Sequence, residues 1–379
     1  MRIVVSGGGT AGHIAPILAV LDELKQLDKS LEVLFIGSGG PMEQKVLAGA
    51  GIEYARIPAG KFRRYGRSFY AAAIDARTNW HNFKVLFKFN GGVFRAYQLV
   101  RKYKPDVVFV KGSYVGLPVG LAAKWLKVPL VLHDSDTVLG MTNKVLSKSA
   151  QAVATGFPVE FYKEYGLDNL VFTGNPLRRS AIVGNPQTAR TSFAISDQKT
   201  IILIFGGSLG SHNINTVVFD NLAHFTKLYT VIHVVGEGQI ERARFLASRL
   251  DPKLKANYKP YSFLNSEMGL AYSIADVVVA RGGANSLAEL AHWAKPAIIV
   301  PLPTAANNEQ MKNTQYLARA GAVRLLPEKD LTGIRLLNEL EKLFAQPTDM
   351  RYLAGTIHKY AKPRAARELA QIIHAAGQR

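Results

Sequence analysis

Two glycine-rich turns, each directly after an apolar run, are the parts of this chain best suited to hold an anion. The first, "SGGGTAGH" at residues 6–13, follows the apolar residues 3–5, and the second, "GGSLGSHN" at 206–213, follows 201–205. Glycines let phosphate oxygens approach the backbone, and a helix start presents unpaired N–H groups. The pattern favours a phosphate group at each turn, although a strand–helix turn without a ligand would have the same letters.

The first turn also matches the dinucleotide pattern G-x-G-x-x-G, at Gly7, Gly9 and Gly12. An NAD site needs an acid about 20 residues further on, at the end of the second strand, to hold the ribose. Here that strand ends in "FIGSG", and Glu43 comes several residues late. We therefore favour another phosphate-bearing ligand over NAD.

A third cluster, "ARGGANSLAEL" at residues 280–290, places an acid soon after a glycine pair. Asn285 or Ser286 can cap the helix that follows, and Glu289 lies about one turn into it. A carboxylate there can accept hydrogen bonds from a cis-diol such as a ribose; alternatively, Glu289 only offsets the helix dipole.

Amide side chains crowd the segment "TAANNEQMKN" ahead of another helix. Amides both donate and accept, which suits sugar hydroxyls, although a capped polar loop would have a similar composition. Together with two phosphate-type turns and an acid for a diol, they predict a nucleotide-sugar site. The amides are Asn307, Asn308, Gln310 and Asn313.

The elements that must position these residues alternate between short apolar strands and helices. Such alternation predicts an α/β fold with parallel sheets covered on both faces. The pattern restarts near residue 200, and Gly206 lies 198 positions after Gly8. We therefore predict two Rossmann-like domains facing across a cleft, the first at 1–174 and the second at 175–351. A C-terminal helix at about 352–379 can pack back on the first domain, although the pattern alone does not decide this.

The net charge of +19 predicts an anionic partner, and the cations are concentrated in one segment. Residues 61–104 contain eleven Lys or Arg and one acid, and Trp80, Phe83 and Phe87 fall at helical spacing. A basic helix with aromatics favours an anionic membrane surface. Burial of the aromatics in the core is one alternative, and nucleic-acid binding, which we do not favour, is another.

Three classes of feature are missing from the sequence. The chain has no cysteine, which excludes disulfides and thiolate metal sites. No charged leader with an apolar segment precedes the first strand, so we expect no signal peptide. No uncharged apolar stretch of about 18 residues occurs, so we expect no membrane-spanning helix.

Seven blocks in order give the chain a specific resemblance. They are "GGTAGH", "KGSYVGLPVG", "LHDSDTVLGMTNK", "TGNPLR", "GGSLGSHNIN", "ARGGANSLAEL" and "NNEQMKN". With them the chain resembles the MurG family of GT-B glycosyltransferases over nearly its whole length. The resemblance implies inverting transfer of N-acetylglucosamine from UDP-GlcNAc to a polyprenyl-pyrophosphate-linked muramoyl-peptide, in peptidoglycan synthesis, at the cytoplasmic face of the cell membrane. It implies no cofactor.

By this resemblance the second domain binds the UDP-sugar. Glu289 would hold the ribose, Ser208 the diphosphate, and Leu264 and Met268 would flank the uracil. The other implied donor-binding residues are Thr10, Gly12, Arg178, Gly207, Asn215, Ser286, Gln310 and Asn313.

The first domain would bind the acceptor, with its pyrophosphate at Gly8 and Gly9. Further implied acceptor residues are Tyr114, Asp136 and Asn143. His13 and Asp134 are the candidates for the base that deprotonates the acceptor hydroxyl. We prefer His13, because the helix dipole favours a neutral imidazole there; a histidine that only forms a hydrogen bond across the cleft is the alternative.

The chain departs from the family pattern at several site positions. "HDSD" at 133–136 replaces the usual "HEQN", Leu209 replaces a glutamine, and Glu309 replaces the histidine of a His-Gln pair. A related enzyme with another UDP-sugar or glycolipid acceptor is therefore the alternative function, and a nucleotide-sugar binding protein with little catalysis is a third hypothesis. "DSD" also allows a D-x-D metal site, but we favour contact of Asp136 with the acceptor.

Overall fold

The computed structural model describes residues 1–8, 11–60, 76–196, 199–207 and 210–378, with the backbone alone at 11–13, 41–42, 45–46, 76–84 and 86–87. The chain divides into two compact units. The N-terminal unit comprises Met1–Pro176 together with Arg364–Arg379, and the C-terminal unit is Leu177–Pro363.

The N-terminal unit is built on a seven-stranded parallel sheet with the order β3-β2-β1-β4-β5-β6-β7. Its central strands are short apolar runs that are buried throughout, as expected for a sheet covered on both faces. The strands are β1 (Arg2–Ser6), β2 (Glu32–Gly37), β3 (Glu53–Arg56), β4 (Val107–Val110), β5 (Leu130–Asp134), β6 (Ala152–Thr155) and β7 (Leu170–Phe172).

Helices cover this sheet, and the first one begins at the glycine-rich turn. The apolar stripe predicted on it, Ile17, Val20, Leu21 and Leu24, is at most 1% exposed, which confirms the helical period. The described helices of this unit are α1 (Ala11–Leu27), α2 (Pro41–Gly49), α3 (Ala76–Tyr103), α4 (Ser113–Trp125) and α5 (Met141–Leu146), with 3₁₀ turns at Ser147–Ser149 and Val159–Tyr165.

The C-terminal unit repeats the plan with a six-stranded parallel sheet of order β10-β9-β8-β11-β12-β13. Strand β8 follows the polar segment 173–200 and leads into the second glycine turn, where the sequence pattern restarts. The strands are β8 (Ile201–Phe205), β9 (Thr230–Val234), β10 (Tyr258–Tyr261), β11 (Val277–Ala280), β12 (Ala297–Ile299) and β13 (Arg324–Leu325).

The helices of the C-terminal unit are mostly short. In chain order they are α6 (Arg179–Ile182), α7 (Pro186–Ser192), α8 (His212–Asp220), α9 (Leu222–Leu228), α10 (Ile240–Ser248), α11 (Pro252–Lys255), α12 (Met268–Ile274), α13 (Ala284–Trp293), α14 (Glu309–Arg319), α15 (Gly333–Ala345) and α16 (Pro347–His358). Short 3₁₀ turns lie at Glu237–Gln239, Ala306–Asn308 and Glu328–Asp330.

The last helix, α17 (Ala365–Gly377), returns to the N-terminal unit. Its apolar residues Leu369, Ala370, Ile373 and Ala376 join the core that contains Ile3, Val5 and the stripe of α1. The preceding α16 stays with the C-terminal unit. Among the helices that the structure describes, none is long and apolar enough to cross a membrane.

Each sheet has one point where the strand order reverses. In the first sheet it lies between β1 and β4, and in the second between β8 and β11. Ligands of open α/β sheets bind outside the carboxyl ends of the strands at such a switch point. The fold thus places the first glycine-rich turn beside the turn after β4, and the second beside the turn after β11.

Candidate active site

A buried carboxylate lies between the first glycine turn and the neighbouring β2–α2 turn. Glu43, 3% exposed, accepts hydrogen bonds at Oε2 from the backbone N–H of Ser38 (3.1 Å) and Gly39 (3.1 Å) and from Tyr54 Oη (3.3 Å). A Cβ at Gly8 would lie 1.9 Å from Glu43 Oε1. The Glu43 carboxylate therefore lies directly beside Gly8, and the acid that comes too late for a ribose instead braces the β2–α2 turn.

A buried cation lies on the other side of the same turn. Lys111 directly follows β4, is 3% exposed, and donates through its backbone N–H to the carbonyl of Ser6 at 2.8 Å. Its Nζ donates to Ser135 Oγ. A Cβ at Gly7 would lie 3.1 Å from Lys111 Cβ, so the two turns are in close contact.

Asp134, the last residue of β5, lies in the same buried cluster. Its Oδ2 accepts hydrogen bonds from the backbone N–H of Gly140 (2.7 Å) and from Asn143 Nδ2 (3.0 Å). Burial, and then the charge of Asp136, raise the pKa of this carboxyl to about 6, against the opposing effect of Lys111. Such a pKa suits a base near neutral pH.

The polar side chains around Asp134 are held in place by backbone contacts. His133 is fully buried and bonds the carbonyl of Gly174 through Nε2 at 3.0 Å. Burial keeps the pKa of His133 well below its usual value, so the ring is neutral. Asn143 also donates to the carbonyl of His133 (2.9 Å), and Asn175 donates to that of Ser135 (3.1 Å). The cluster is therefore fixed in position by the fold.

The structure brings some of the predicted acceptor residues together. Asp134, Asp136 and Asn143 share one cluster, and Tyr114 is half-buried in the first turn of α4. Gly12 and His13 lie in the first turn of α1, where only their backbone is described, and Gly9 and Thr10 lie outside the described residues. In the described parts of the chain no three His, Asp or Glu side chains are grouped to hold a metal ion.

The second glycine turn is tightly packed at its two ends. A Cβ at Gly206 would lie 2.3 Å from the backbone N of Ser211, and one at Gly210 would lie 2.3 Å from the carbonyl O of Val235. Gly207, with φ of +90°, has open space around it. The predicted diphosphate ligand Ser208 and its neighbour Leu209 lie outside the described residues.

A second buried cation supports this turn. Arg281, 6% exposed, directly follows β11, which borders the switch point of the second sheet. Lys111 has the equivalent position in the first sheet, after β4. It donates to Ser211 Oγ (2.7 Å) and to the carbonyl of Val300 (3.1 Å), and it forms an ion pair with Glu328. Ser211 is the N-cap of α8, so Arg281 fixes the start of the helix that follows the turn.

Glu289, the predicted ribose ligand, accepts a hydrogen bond at Oε2 from the hydroxyl of Tyr272 at 3.0 Å. Burial raises the pKa of Glu289, while nearby Arg178 and the Tyr272 hydroxyl oppose the rise. The predicted cap of its helix was wrong. Helix α13 begins at Ala284 with Gly283 in extended conformation at the N-cap, because the strand ends earlier than the sequence indicated.

The amide residues of α14 contact the end of β11. Gln310 Oε1 accepts a hydrogen bond from the backbone N–H of Leu302 at 3.0 Å. Asn313 is fully buried and donates to the carbonyl of Gly282 at 3.4 Å. A Cβ at Gly282 would lie 2.3 Å from Thr314 Oγ1. The glycine after β11 thus allows α14 to approach the strand end.

The other predicted donor residues take different positions. Arg178 donates to Asn265 Oδ1 at 2.8 Å, and Leu264 and Met268 are buried around the start of α12. Asn215 is 1% exposed, and its amide bonds the carbonyl of Val235 and the ring of His233. Asn215 therefore holds α8 to β9. Ser286 is half-buried in the first turn of α13.

Sequence reasoning missed three residues of the site. It quoted Lys111 and Arg281 within motifs but assigned them no role, and it considered Glu43 only as a ribose ligand. The signal available was position: each cation directly follows an apolar strand and precedes a glycine. That position identifies a site residue only when the strand order shows which glycine turn lies beside each cation.

Comparison with known proteins agrees with this arrangement. Residues 3–155 match the glycosyltransferase family 28 N-terminal domain, and residues 201–369 match its C-terminal domain. A UDP-N-acetylglucosamine--N-acetylmuramyl-(pentapeptide) pyrophosphoryl-undecaprenol N-acetylglucosamine transferase from Clostridium botulinum is 35% identical over 90% of this chain and 91% of its own length. The chain belongs to the MurG family of glycosyltransferases. A Pediococcus pentosaceus member with the same name is 33% identical over 98% of this chain and 99% of its own.

Solved structures agree with the family's fold. MurG from Acinetobacter baumannii superposes with a TM-score of 0.72 at 26% identity, covering 99% of both chains. A UDP-GlcNAc 2-epimerase from Neisseria meningitidis, bound to UDP-GlcNAc, superposes with a TM-score of 0.66 at 15% identity over 99% of both chains, a likeness of fold alone. The predicted pair of parallel α/β domains and the UDP-sugar glycosyltransferase class are both confirmed for this MurG family member.

Proposed function

We propose that this enzyme transfers N-acetylglucosamine from UDP-GlcNAc to a polyprenyl-pyrophosphate-linked muramoyl-peptide, with inversion, in peptidoglycan synthesis. Its product would then serve cell-wall growth, and through it cell shape and division. The observation that carries the proposal is identity of 33–35% to transferases of this name over nine-tenths or more of the chain.

The donor binds the C-terminal unit in this proposal. The turn from Gly206 to Gly210 and the N-terminus of α8 hold the diphosphate, and Glu289 accepts hydrogen bonds from the ribose. When the glycosidic bond breaks, the same backbone N–H groups stabilise the charge of the leaving UDP. The Tyr272 hydroxyl and the Arg178 charge favour the ionised form of Glu289, which is the form that accepts from both hydroxyls of a diol.

The acceptor binds the N-terminal unit, with its pyrophosphate at Gly8 and Gly9. Its hydroxyl attacks the anomeric carbon, and a base removes the proton. His13 and Asp134 are the two candidates. Asp134 has a geometric argument in its favour, since two hydrogen bonds orient its carboxylate and burial brings its pKa to about 6. His13 has the helix-dipole argument from the sequence.

We also propose that the N-terminal unit binds the cytoplasmic face of the cell membrane peripherally. The exposed apolar side chains on its helices include Phe94 on α3 (65%) and Met141 (66%) and Val145 (51%) on α5. The exposed cations near them in sequence are Lys88, Arg95, Lys144 and Lys148. Apolar side chains flanked by lysines suit an anionic lipid surface. Residues 61–75 of the basic segment lie outside the described residues.

Release of UDP over a panel of UDP-sugars, with and without a lipid-linked muramoyl-peptide, tests the transfer. We expect UDP-GlcNAc with that acceptor to give the highest kcat/KM. A higher kcat/KM with another sugar or glycolipid would instead favour a related enzyme with a different donor or acceptor, the alternative suggested by the "HDSD" and Leu209 departures. His13→Ala and Asp134→Ala, assayed separately, identify the base, and transfer at the wild-type rate in both would exclude both residues.

Co-sedimentation with vesicles tests the membrane proposal. We expect binding to vesicles that contain anionic lipid, and weaker binding of a Met141→Ser/Val145→Ser variant. The exposed Phe245→Ser of the C-terminal unit is a matched control for loss of an apolar side chain. Equal binding of neutral and anionic vesicles, or tight salt-dependent DNA binding without lipid binding, would contradict this part of the proposal.

A further inference from the structure

The buried ammonium of Lys111 in the N-terminal unit has no role in the proposed transfer. It is 3% exposed at the switch point of the first sheet, and its strand end contacts the first glycine turn. A lysine is almost never fully buried unless it is paired. Its position therefore calls for a partner of opposite charge.

Its hydrogen-bond partner and two acids are on the turn after β5. Lys111 Nζ donates to Ser135 Oγ, and Ser135 lies between Asp134 and Asp136 in the sequence. The backbone N–H of Asp136 is 3.4 Å from Asp134 Oδ1, so the turn folds back on the first carboxylate. Two acids that are close together resist being ionised at the same time unless a cation offsets one of them.

We propose that Lys111 is a positioning residue for the acceptor side of the site: it fixes the 134–136 turn through Ser135, and its charge offsets the effect of Asp136 on Asp134. The proposal rests on the proposed function only in taking Asp134 as a group that contacts the acceptor. It also accounts for a departure from the family pattern, because a second acid in "HDSD" requires a compensating cation.

The charges on this cluster agree with that role. Burial lowers the pKa of Lys111 to about 8, while Asp134 and Asp136 oppose the fall. Lys111 in turn lowers the pKa of Asp134, and Asp136 raises it. The other titratable groups around Asp134 are His133 on β5, Tyr162 and Tyr165 on the 3₁₀ turn, and Lys144 on α5, whose Nζ lies over the Tyr165 ring.

The remaining groups cannot take the place of Lys111. The pKa of His133 is far below neutrality, and those of Tyr162 and Tyr165 are raised, so all three are neutral at pH 7. Lys144 is exposed, and water screens its charge. Lys111 is the buried cation that acts on Asp134 among the described residues.

The direct test is an NMR titration of the Asp134 carboxyl carbon in the full chain, with Asp134→Asn used to assign the resonance. We compare wild type with Lys111→Met, which removes the charge at similar length, and Lys111→Arg, which keeps it. We expect the Asp134 midpoint to move to higher pH in Lys111→Met and to stay near wild type in Lys111→Arg. An unchanged midpoint in folded Lys111→Met would overturn the proposal.

Two further variants separate charge from packing. In Lys111→Met/Asp136→Asn the second acid is also removed, so we expect the midpoint to return towards the wild-type value. Ser135→Ala removes the hydrogen bond but keeps both charges, and we expect a smaller shift than in Lys111→Met. If Lys111→Met does not fold, Ser135→Ala and Lys111→Arg still test the contact, since both leave the cation in place. A midpoint in the double variant as high as in Lys111→Met would contradict charge compensation.

Transfer kinetics give the functional readout. For Lys111→Met we expect kcat/KM for the acceptor to fall at least tenfold at pH 7 and its acidic limb to move to higher pH, with UDP affinity unchanged. An unmoved pH profile would count against the proposal. Failure of the wild-type enzyme to transfer any sugar would refute the proposed function instead, because the Asp134 titration needs no activity.

Discussion

Gly282 is a position where a single methyl group should damage the donor site by displacing a neighbouring helix. It lies two residues after the end of β11, and α14 packs against it. A Cβ there would lie 2.7 Å from the carbonyl O of Gln310 and 2.3 Å from Thr314 Oγ1, whereas ordinary contacts begin near 3.4 Å. Because a carbonyl oxygen cannot rotate away, the backbone of α14 must retreat by about 0.7 Å in Gly282→Ala.

The size of that displacement sets the expected loss of stability and of affinity for the donor. Overpacking of this kind costs about 1–3 kcal/mol of stability. The retreat also moves Gln310 and Asn313, which bond Leu302 and Gly282 at the proposed sugar subsite. A misplacement on the order of 1 Å in a binding group can cost about a hundredfold in activity. We therefore expect the affinity for UDP-GlcNAc to fall by roughly tenfold to a hundredfold.

The neighbouring glycine provides the control. Gly283 has no atom within 4 Å of an added Cβ, and its φ of −69° and ψ of 139° suit alanine. We expect Gly283→Ala to change stability by no more than about 0.5 kcal/mol. Urea denaturation measures the free energy of unfolding, and calorimetric titration with UDP-GlcNAc measures the affinity of each folded variant.

Two results would refute this reasoning. Gly282→Ala could bind UDP-GlcNAc with wild-type affinity, which would mean that the position of α14 does not matter to the donor. Alternatively, Gly283→Ala could be as harmful as Gly282→Ala, which would mean that the loss arises from the loop backbone and not from contact with α14.

Three further predictions concern the charged groups. Tyr272→Phe removes a hydrogen bond that lowers the pKa of Glu289. On acidification the variant should therefore begin to lose affinity for UDP-GlcNAc at a higher pH than wild type. An affinity equal to wild type at every pH would contradict the role of Glu289 as the ribose ligand. Arg281→Met leaves the Glu328 carboxylate, whose side chain is 12% exposed, without its cation and should reduce the free energy of unfolding by about 3 kcal/mol. Arg281→Met/Glu328→Leu should recover most of this loss, and equal losses in urea would show that the pair is not coupled. The pKa of Asp134 is raised to about 6, whereas an unfolded Asp titrates near 4, so the free energy of unfolding falls as pH rises from about 4 to about 6. Asp134→Asn should therefore stabilise the protein by about 3 kcal/mol at pH 8 and little at pH 4, and equal gains at both pH values would contradict this cause.

Much of the fold could be predicted from the sequence, because the signals are local. Residues 3–5 and 201–205 are unbroken apolar runs, which a buried parallel strand requires, and a glycine follows soon after each of them. The stripe of α1 repeats every three or four residues. The cap of α13 could not be predicted, because Gly283 is an N-cap without a side chain and Asn285 and Ser286 are better candidates by type.

The candidate site could be predicted in its parts. Glu289 and Asp134 were identified by residue type and by their position after strands, and the structure gives each a partner that orients it. Asn215 was identified in the same way, but its amide holds α8 to β9. Residue type alone does not distinguish an amide that faces a ligand from one that faces a neighbouring strand.

The sequence by itself determined the two parallel α/β units, their glycine turns and the family. Only the tertiary structure decided which residues support those turns. Lys111 contacts the first turn from about a hundred residues away in the sequence because β4 lies beside β1, and Arg281 contacts the start of α8 because β11 lies beside β8. Strand order is set by long-range packing of whole strands and helices, so no local pattern in the chain records it. The turn "SGGGTAGH" was visible from the start, whereas the carboxylate and the ammonium on either side of it were not.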